Sequence, residues 1–205
     1  MLITFEGIDG CGKSLIMGMV RDWLADEGYP VLATLEPGGS EFGQAFRKML
    51  LESSFGSLDA QTETLLFMVD RSRHVEEIIR PALLRGEIVL CDRYIDSTLA
   101  YQGGGRGLNQ EQLRIMNDFA VKGVYPDLTL LLSLREELAA SRLGDSKDRL
   151  EQESLEFFRR VAAVYAALAA AEPRRFRVID AGAEPQQVFI QAQTQIRMVL
   201  PPRRG

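Results

Sequence analysis

The sequence predicts an α/β domain of three layers, in which helices cover both faces of a five-stranded parallel sheet. Five short apolar runs rich in branched residues alternate with longer amphipathic stretches along the 205 residues. Strands that are buried on both faces read as continuous apolar runs, and right-handed helical crossovers join them in parallel. A glycine-rich loop directly follows the first run, which is the strand–loop–helix order of phosphate-binding α/β folds.

The expected elements follow this alternation along the chain. The expected strands are 2–5, 31–35, 88–91, 128–134 and 176–179. The expected helices are 13–28, 62–86, 109–123, 152–171 and 184–199. Several of these helices end at glycine, as helices often do. Residues 1–205 are enough for one substantial core and are expected to form a single domain.

Composition and charge narrow the classes of partner. The net charge is −5, so no overall basic field attracts nucleic acid, and an anionic ligand needs a local cluster of arginine and lysine. No apolar run reaches about eighteen residues and the N-terminus enters a strand without a charged leader, so neither a membrane span nor a signal peptide is expected. The expected compartment is the cytoplasm, where Cys11 and Cys91 would stay reduced and buried.

The loop after the first strand carries a phosphate-binding motif. Gly7, Gly12, Lys13 and Ser14 satisfy the pattern G-x-x-x-x-G-K-S/T between a predicted strand and a predicted helix, which is the context the motif requires. Its backbone N–H groups and the helix N-terminus favour phosphate. The residues expected to surround a bound ATP are Gly7, Ile8, Asp9, Gly10, Cys11, Gly12, Lys13 and Ser14. The sequence therefore predicts a P-loop NTPase fold.

A second acidic position follows the third predicted strand. Four apolar residues run directly into Asp92, and P-loop proteins hold Mg²⁺ with the loop hydroxyl and a strand-end carboxylate. Ser14 and Asp92 are therefore the predicted magnesium ligands. The alternatives for Asp92 are surface exposure or pairing with a neighbouring arginine.

Other residues must identify the phosphate acceptor, because triphosphate loops serve switches, motors and kinases alike. The sequence contains no Asn-Lys-x-Asp, by which switch GTPases read guanine. Phe67 and Arg71 lie four residues apart on one helix face, and a flat ring beside a forked donor suits a planar base with carbonyl oxygens. Taken alone, such a pair is more often a core phenylalanine beside a surface arginine. Together with Arg93 at a strand end, it predicts a nucleotide pocket.

Five motifs extend this interpretation over the whole chain. They are EPGG at 36–39, DRY at 92–94, AYQGGGRG at 100–107, YPDLTLLL at 125–132 and DRLEQES at 148–154. With the phosphate loop, they make the sequence resemble the bacterial thymidylate kinase family from the first strand to the final helix. The resemblance implies transfer of the γ-phosphoryl group of ATP to dTMP, which gives ADP and dTDP, with Mg²⁺ as cofactor.

The resemblance also implies roles for residues on the acceptor side. Arg47 and Arg93 would hold the acceptor phosphate, and Asp9 would lie near the 3′-hydroxyl and the metal. Phe67 would stack on thymine while Arg71 bonds its O4 edge. The remaining implied acceptor contacts are Glu36, Thr98, Tyr101 and Gln102.

A polar segment at about 141–150 is expected to form a short lid over ATP. The resemblance places Arg142, Lys147 and Arg149 in it. Because the phosphate loop contains no arginine, Arg149 is expected to supply a cation for the transfer. The sequence departs from the family pattern at Leu35 and Asp145, where relatives usually carry arginine, and at Ser133, where they usually carry aspartate.

The chemistry agrees with these roles. An acceptor phosphate is largely dianionic at neutral pH because its second pKa is about 6, so no general base is needed. The difficulty is repulsion between two polyanions, which fixed cations and Mg²⁺ offset by position and electrostatics. The expected catalytic residues are Asp9, Lys13, Asp92, Arg93 and Arg149.

Two other functions stay open from the sequence. One is a kinase of the same fold that acts on another nucleoside monophosphate, although Thr98 and Tyr101 favour a deoxy-pyrimidine. The other is a nucleotide-binding protein with weak or no turnover, which the less basic lid allows. Family members pair as homodimers through helices, so a homodimer is expected, with helices 62–86 and 109–123 as candidate faces.

Overall fold

The computed structural model describes residues 1–51, 58–144 and 149–202. Its strands are β1 (Leu2–Glu6), β2 (Val31–Leu35), β3 (Ile88–Asp92), β4 (Leu128–Ser133) and β5 (Phe176–Asp180). They form one five-stranded sheet in the order β2-β3-β1-β4-β5, and each neighbouring pair is parallel. The predicted fold class is confirmed.

This strand order brings the functional loops to one edge of the sheet. β1 lies between β3 and β4, with Phe5 opposite Asp92, and Asp92 in turn lies opposite Leu35 of β2. The carboxyl ends of parallel strands lie at one edge of the sheet. Ligands bind at this edge, at the point where the order of the strands reverses. The phosphate loop after β1, Glu36 after β2 and Arg93 after β3 therefore lie side by side.

Helices flank the sheet. They are α1 (Lys13–Asp26), α2 (Glu41–Leu51), α3 (Ala60–His74), α4 (Arg80–Leu84), α5 (Ile95–Thr98), α6 (Gln110–Val121), α7 (Glu136–Arg142), α8 (Leu155–Ala171) and α9 (Pro185–Arg197). π-Helical turns occupy Val75–Ile79, between α3 and α4, and Leu99–Gly105, after α5. The helices α2, α5 and α7 were not expected, because each is short and packs through tertiary contacts.

The prediction of one continuous helix at 62–86 is wrong. The helix begins earlier, at Ala60, because the Asp59 carboxylate accepts hydrogen bonds from two amides of the first turn and so caps it. The π turn at Val75–Ile79 then interrupts it. Pro81 follows in the next turn and lacks the N–H that an α-helix needs there, so the turn before it widens.

Two apolar cores lie on opposite faces of the sheet, because successive side chains of a strand alternate. Ile3 faces the core formed with α1 and α8, whereas Leu2 faces the core formed with the π turn and α4. Cys11 and Cys91 are buried without a disulfide. Among the residues that the structure describes, no helix is long and apolar enough to cross a membrane.

Candidate nucleotide-binding site

A cleft of about 720 Å³ opens at the carboxyl edge of the sheet. It is lined from one side by the phosphate loop and from the other by residues of α2, α3 and the π turn that follows α5. The expected site residues that line it are Asp9, Gly10, Gly12, Lys13, Ser14, Glu36, Arg47, Phe67, Arg71, Asp92, Arg93, Thr98, Tyr101, Gln102 and Arg142. The fold therefore gathers most of the expected donor and acceptor residues around one space.

The phosphate loop has a shape that only glycine permits at two positions. Gly7 and Gly10 have φ values of 138° and 82°, in the region that side chains disfavour. A Cβ on Gly7 would lie 2.5 Å from the Leu132 carbonyl oxygen, and one on Gly10 would lie 2.2 Å from that of Ala139. The loop thus packs closely on its neighbours and leads directly into α1, whose first residues, Lys13 and Ser14, line the cleft.

Lys13 is the fixed cation of this loop. Its side chain is buried, and Nζ donates hydrogen bonds to the carbonyl oxygens of Gly7 at 3.2 Å and Ile8 at 3.0 Å. The loop backbone therefore satisfies and orients the ammonium group. The described residues that line the main cleft do not include Gly7, Ile8 or Cys11. Gly7 and Ile8 instead border a second cavity behind the loop.

Ser14 and Asp92 meet at the junction of the loop and β3. The Ser14 hydroxyl donates a hydrogen bond of 2.6 Å to Asp92 Oδ2. A hydroxyl and a carboxylate this close together are oxygen donors of the type that Mg²⁺ prefers. The pair is thus compatible with a magnesium ion, and Asp92 is bonded to the loop hydroxyl rather than to an arginine.

Asp9, Arg93 and Tyr101 form a hydrogen-bonded triangle in the cleft. Arg93 Nη2 donates to Asp9 Oδ1 at 2.5 Å and to the Tyr101 hydroxyl at 2.9 Å, while that hydroxyl donates to Asp9 Oδ2 at 2.7 Å. Burial alone would raise the pKa of Asp9, but the charges of Arg93 and Lys13 outweigh it and lower the pKa to about 2. Asp9 is therefore an anion that holds the Arg93 guanidinium in position.

Arg71 is a buried cation rather than a surface residue. Its side chain donates to Glu36 Oε2 at 2.7 Å, to the Thr98 hydroxyl at 2.7 Å, to Asn117 Oδ1 at 2.5 Å and to the Tyr94 carbonyl at 2.9 Å. Burial alone would raise the pKa of Glu36, but the charge of the Arg71 guanidinium outweighs burial and lowers that pKa below its usual value. Four of five guanidinium hydrogens are thereby fixed, and the group still borders the cleft.

His74 is a packing residue that contacts the Glu36 carboxylate. It is fully buried, with Nδ1 2.9 Å from Glu36 Oε1 and Nε2 2.7 Å from the Thr34 hydroxyl. A Cβ at Gly39 would lie 2.3 Å from His74 Nε2, so the EPGG turn needs glycine there. No sequence signal separates this buried histidine from a solvent-facing one, because its partners Thr34 and Glu36 lie about 40 positions away in the chain.

Three further cleft residues occupy separate elements. Arg47 of α2 donates to the Pro37 carbonyl at 2.8 Å, which directs it along the EPGG turn. Phe67 lines the cleft one helical turn before Arg71. Arg142, expected in the lid, is the last residue of α7 and donates to the Ala181 carbonyl at 3.2 Å.

The β5–α9 connection forms a wall of the cleft that the sequence did not indicate. Its lining residues are Gly182, Ala183, Glu184 and Pro185. Their position follows from the topology, because β5 ends at the same edge of the sheet as β1 and β3. The available signal was the end of a predicted strand in a parallel sheet.

Arg149 lies apart from the cleft in this structure. Its Nε donates to the Leu50 carbonyl at 2.9 Å, and its Nη2 lies 2.7 Å from Glu63 Oε2. It is not among the described residues that line the cleft, so its expected part in transfer stays a prediction. Lys147 and Asp145 lie outside the described residues.

Two departures from the family pattern have different surroundings. Leu35 is partly exposed and lines the cleft next to Glu36. Ser133 ends β4 and lines the second cavity, of about 340 Å³, behind the phosphate loop. The Leu35 departure therefore touches the site, and the Ser133 departure lies behind it.

A phosphate-binding loop facing fixed arginines and an aromatic ring across one cleft provides both halves of a phosphoryl transfer site. The class that this fold and site define is the P-loop nucleotide kinases. The family model described as thymidylate kinase matches residues 5–191. The chain therefore belongs to the thymidylate kinase family.

Individual relatives agree with this membership over the full chain. The chain is 46% identical to the thymidylate kinase of Desulfovibrio desulfuricans over 214 residues, which cover 100% of this chain and 98% of the relative. It is 50% identical to that of a Synechococcus species over 190 residues, or 92% and 91% of the two chains. The crystal structure of thymidylate kinase from Ehrlichia chaffeensis superposes with a TM-score of 0.82 at 32% identity, covering 97% and 98% of the two chains.

Proposed function

We propose that this protein is an enzyme that transfers the γ-phosphoryl group of ATP to dTMP and releases ADP and dTDP. The observation that carries the proposal is a single cleft that the phosphate loop with Lys13 lines together with Phe67, Arg71 and Arg93. Family membership and full-length relatives that bear the name thymidylate kinase support it.

The donor side would hold the triphosphate through backbone and cations. The proposed ATP-binding residues are Gly7, Ile8, Asp9, Gly10, Cys11, Gly12, Lys13, Ser14 and Arg142. Lys13 would exchange its loop carbonyl partners for phosphate oxygens, which carry more charge. Mg²⁺ would be held by Ser14 and Asp92, and when bound it neutralises charge on the phosphate oxygens.

The acceptor side would recognise the base of dTMP by shape and by a limited number of donors. Phe67 would stack on the thymine ring. Arg71 has one guanidinium hydrogen beyond those bound to described residues, which suits a single carbonyl oxygen such as O4. Thr98 and Gln102 border the same pocket and would complete the base contacts, with Glu36 holding Arg71 in place.

The sugar and phosphate of dTMP would meet the charged triangle. Tyr101 is fixed by Asp9 and Arg93, and its ring would leave no room for a ribose 2′-hydroxyl. Asp9 would lie near the 3′-hydroxyl, while Arg47 and Arg93 would hold the acceptor phosphate. Fixed cations of this kind require no reorganisation when charge develops during transfer.

Transfer needs no proton acceptor in this arrangement. The attacking phosphate is largely dianionic at neutral pH. The chain's task is to bring it in line with the donor against mutual repulsion, by position and by fixed positive charge. Lys13 on the phosphate loop and Arg93, which Asp9 of the same loop holds in place, would supply that charge.

A coupled assay of ADP release over a panel of monophosphates tests the substrate. With Mg²⁺ and ATP, dTMP is expected to give the highest kcat/KM of the panel. Preference for dUMP, dCMP or a purine monophosphate would assign another acceptor. Binding of ATP and dTMP by calorimetry without ADP release would instead indicate a nucleotide-binding protein without turnover.

We propose that two copies of the chain pair through the side of the molecule formed by α3 and α6. These helices pack against each other, and each exposes two large apolar side chains four residues apart, Leu65 and Val69 on α3 and Ile115 and Phe119 on α6. Phe119 is 85% exposed. Exposed apolar side chains grouped in this way mark interaction surfaces.

Light scattering after size-exclusion chromatography tests the dimer. The wild type is expected at twice the chain mass of 22.9 kDa, and Phe119→Glu at the chain mass. Leu84→Glu, on the exposed end of α4, serves as the control and should leave the mass unchanged. A monomeric wild type would contradict the proposal.

The proposed compartment is the cytoplasm. Both thiols, Cys11 and Cys91, are free and buried, which suits a reducing environment. Burial raises the pKa of the Cys91 thiol well above its usual value, so this side chain stays protonated and acts as a small apolar group in the core.

A further inference from the structure

Four charges of alternating sign connect the segment 149–154, which leads into α8, with the acceptor side of the cleft. Arg149 lies 2.7 Å from Glu63, Glu63 lies 3.1 Å from Arg106, and Arg106 lies 2.5 Å from Glu153. Arg149 and Glu153 belong to the segment, whereas Glu63 belongs to α3 and Arg106 directly follows the π turn of Leu99–Gly105. The segment is therefore tied down at two points.

Glu63 is the centre of this arrangement. It has no exposed surface and accepts hydrogen bonds from Gln102 Nε2 at 2.9 Å and from Arg106 Nε at 3.2 Å and Nη2 at 3.1 Å. Burial would raise the pKa of Glu63, but the contacts with Arg106, Gln102 and Arg149 outweigh it and lower the pKa. A buried carboxylate with this many donors is an anion whose removal leaves two arginines without their shared partner.

Arg149 reaches two elements of the acceptor side. Its Nε bonds the Leu50 carbonyl in the last turn of α2, the helix that carries Arg47. Its Nη2 approaches Glu63 of α3 as an ion pair without the angle of a hydrogen bond. The side chain is only 14% exposed, so these contacts hold it away from solvent.

We propose that Glu63 is a positioning residue that, through Arg149 and Arg106, fixes Leu150 and Glu151 in the wall of the cleft. These two residues directly follow Arg149 and line the cleft. Because Glu63 also holds Gln102, one carboxylate sets both this wall and a side chain of the acceptor pocket. The structural part of the proposal stands on these contacts, and its effect on turnover rests on the proposed function.

The positioning role and a direct role of Arg149 at the phosphates make opposite predictions for Glu63. To reach the phosphates, Arg149 would have to leave Leu50 and Glu63, so Glu63 would restrain it and loss of the Glu63 charge would raise turnover. In the positioning role, loss of that charge releases the wall and lowers turnover. The sign of the change therefore separates the two.

Hydrogen exchange of the ligand-free protein tests the structural part. In Glu63→Gln, amides of 149–154 are expected to exchange at least about tenfold faster than in the wild type, because local opening becomes easier, while amides of the sheet keep their rates. Glu156→Gln is the matched control, because Glu156 is exposed and its ion pairs with Arg159 and Arg160 are long, at 3.9 Å each. Unchanged exchange in 149–154 would overturn the proposal.

The exchange test can be repeated with Arg149→Gln and Glu153→Gln, which remove the segment's own partners in its contacts with Glu63 and Arg106. They keep the proposal testable even when Glu63→Gln does not fold, because both positions are partly exposed. Faster exchange confined to 149–154 is expected in each. Faster exchange throughout the molecule would indicate general destabilisation and would overturn a positioning role.

Steady-state kinetics test the consequence for catalysis. Glu63→Gln and Arg149→Gln are each expected to lower kcat/KM for dTMP by at least about tenfold, and the double variant by no more than the stronger single one, because both break the same link. Additive losses, or higher turnover in Glu63→Gln, would overturn the proposal. A wild type that makes no dTDP would refute the proposed function instead, and the exchange result would still decide the positioning role.

Discussion

The two sides of the cleft are built in different ways. The proposed donor side is built mainly on one continuous stretch at 7–14, shaped by backbone conformation and by Lys13 bonded to its own loop. The acceptor side collects side chains from α2, α3, the end of β3 and a π turn, and buried ion pairs such as Arg71 with Glu36 hold them. A backbone loop fits the phosphates of any nucleotide, whereas collected side chains can select one base.

Loss of the loop cation should have the largest effect on activity. Lys13→Ala is expected to lower kcat by about 100- to 1,000-fold, the range for removal of one fixed group that stabilises developing charge. Lys48→Ala, an exposed lysine on α2, is the control and should keep full activity. A loss below about tenfold would show that the donor side does not depend on this cation.

Removal of the aromatic ring should affect the acceptor side alone. Phe67→Ala is expected to weaken dTMP binding by about tenfold or more, since an aromatic stacking contact is worth about 1–3 kcal/mol, and to leave ATP binding unchanged. Calorimetry with each nucleotide measures both. Phe42→Ala, which changes a half-exposed ring of α2, is the control, and weaker ATP binding with intact dTMP binding would contradict the division of the cleft.

The last expected effect is on stability rather than on activity, and it concerns Asp9, between the two sides of the cleft. The pKa of Asp9 is about 2 in the folded protein and near 3.9 in an unfolded chain, so the ionised form stabilises the fold. This contribution, about 2–3 kcal/mol for a shift of this size, is complete above about pH 5 and is lost as the pH falls toward 2. Denaturant unfolding of the wild type and Asp9→Asn should therefore differ most at pH 5 to 6.

The same comparison at lower pH provides the check on Asp9. Between pH 4 and 2.5 the difference in the free energy of unfolding should shrink, because protonation makes the wild-type residue neutral like asparagine. Asp118→Asn, at an exposed position on α6, is the control for a general change of carboxylates. A difference that stays constant over this range would show that Arg93 does not lower the pKa of Asp9.

Prediction from sequence was most accurate where structure is local. All five strands were placed: β1, β3 and β4 are mostly buried and give continuous apolar runs, and the partly exposed β2 and β5 still have short runs rich in branched residues. The phosphate loop was found from a pattern of eight consecutive residues. Arg71 was placed at the cleft from its spacing to Phe67, and Thr98 and Gln102 were placed there from the family resemblance. Prediction was least accurate at α2, at the π turn of Val75–Ile79 and at the buried contacts of Arg149.

The missed features share a physical cause. The partners of Glu63 lie 39, 43 and 86 positions away in Gln102, Arg106 and Arg149, and the partners of His74 lie about 40 positions away in Thr34 and Glu36. Periodicity and short motifs carry no information about pairs so distant. A glutamate or arginine in a buried ion pair is the same residue type as one exposed to solvent, and only the packing around it distinguishes the two.

By itself, the sequence determined the alternation of strands and helices, the phosphate loop and the carboxylate after the third strand, because each depends on neighbouring residues and on backbone conformations that few residue types allow. Only the tertiary structure decided that Arg71 is buried, that Asp9 fixes Arg93, and that Arg149 contacts Glu63. Those outcomes depend on charges brought together from distant segments into a space with little water, where each must find a partner.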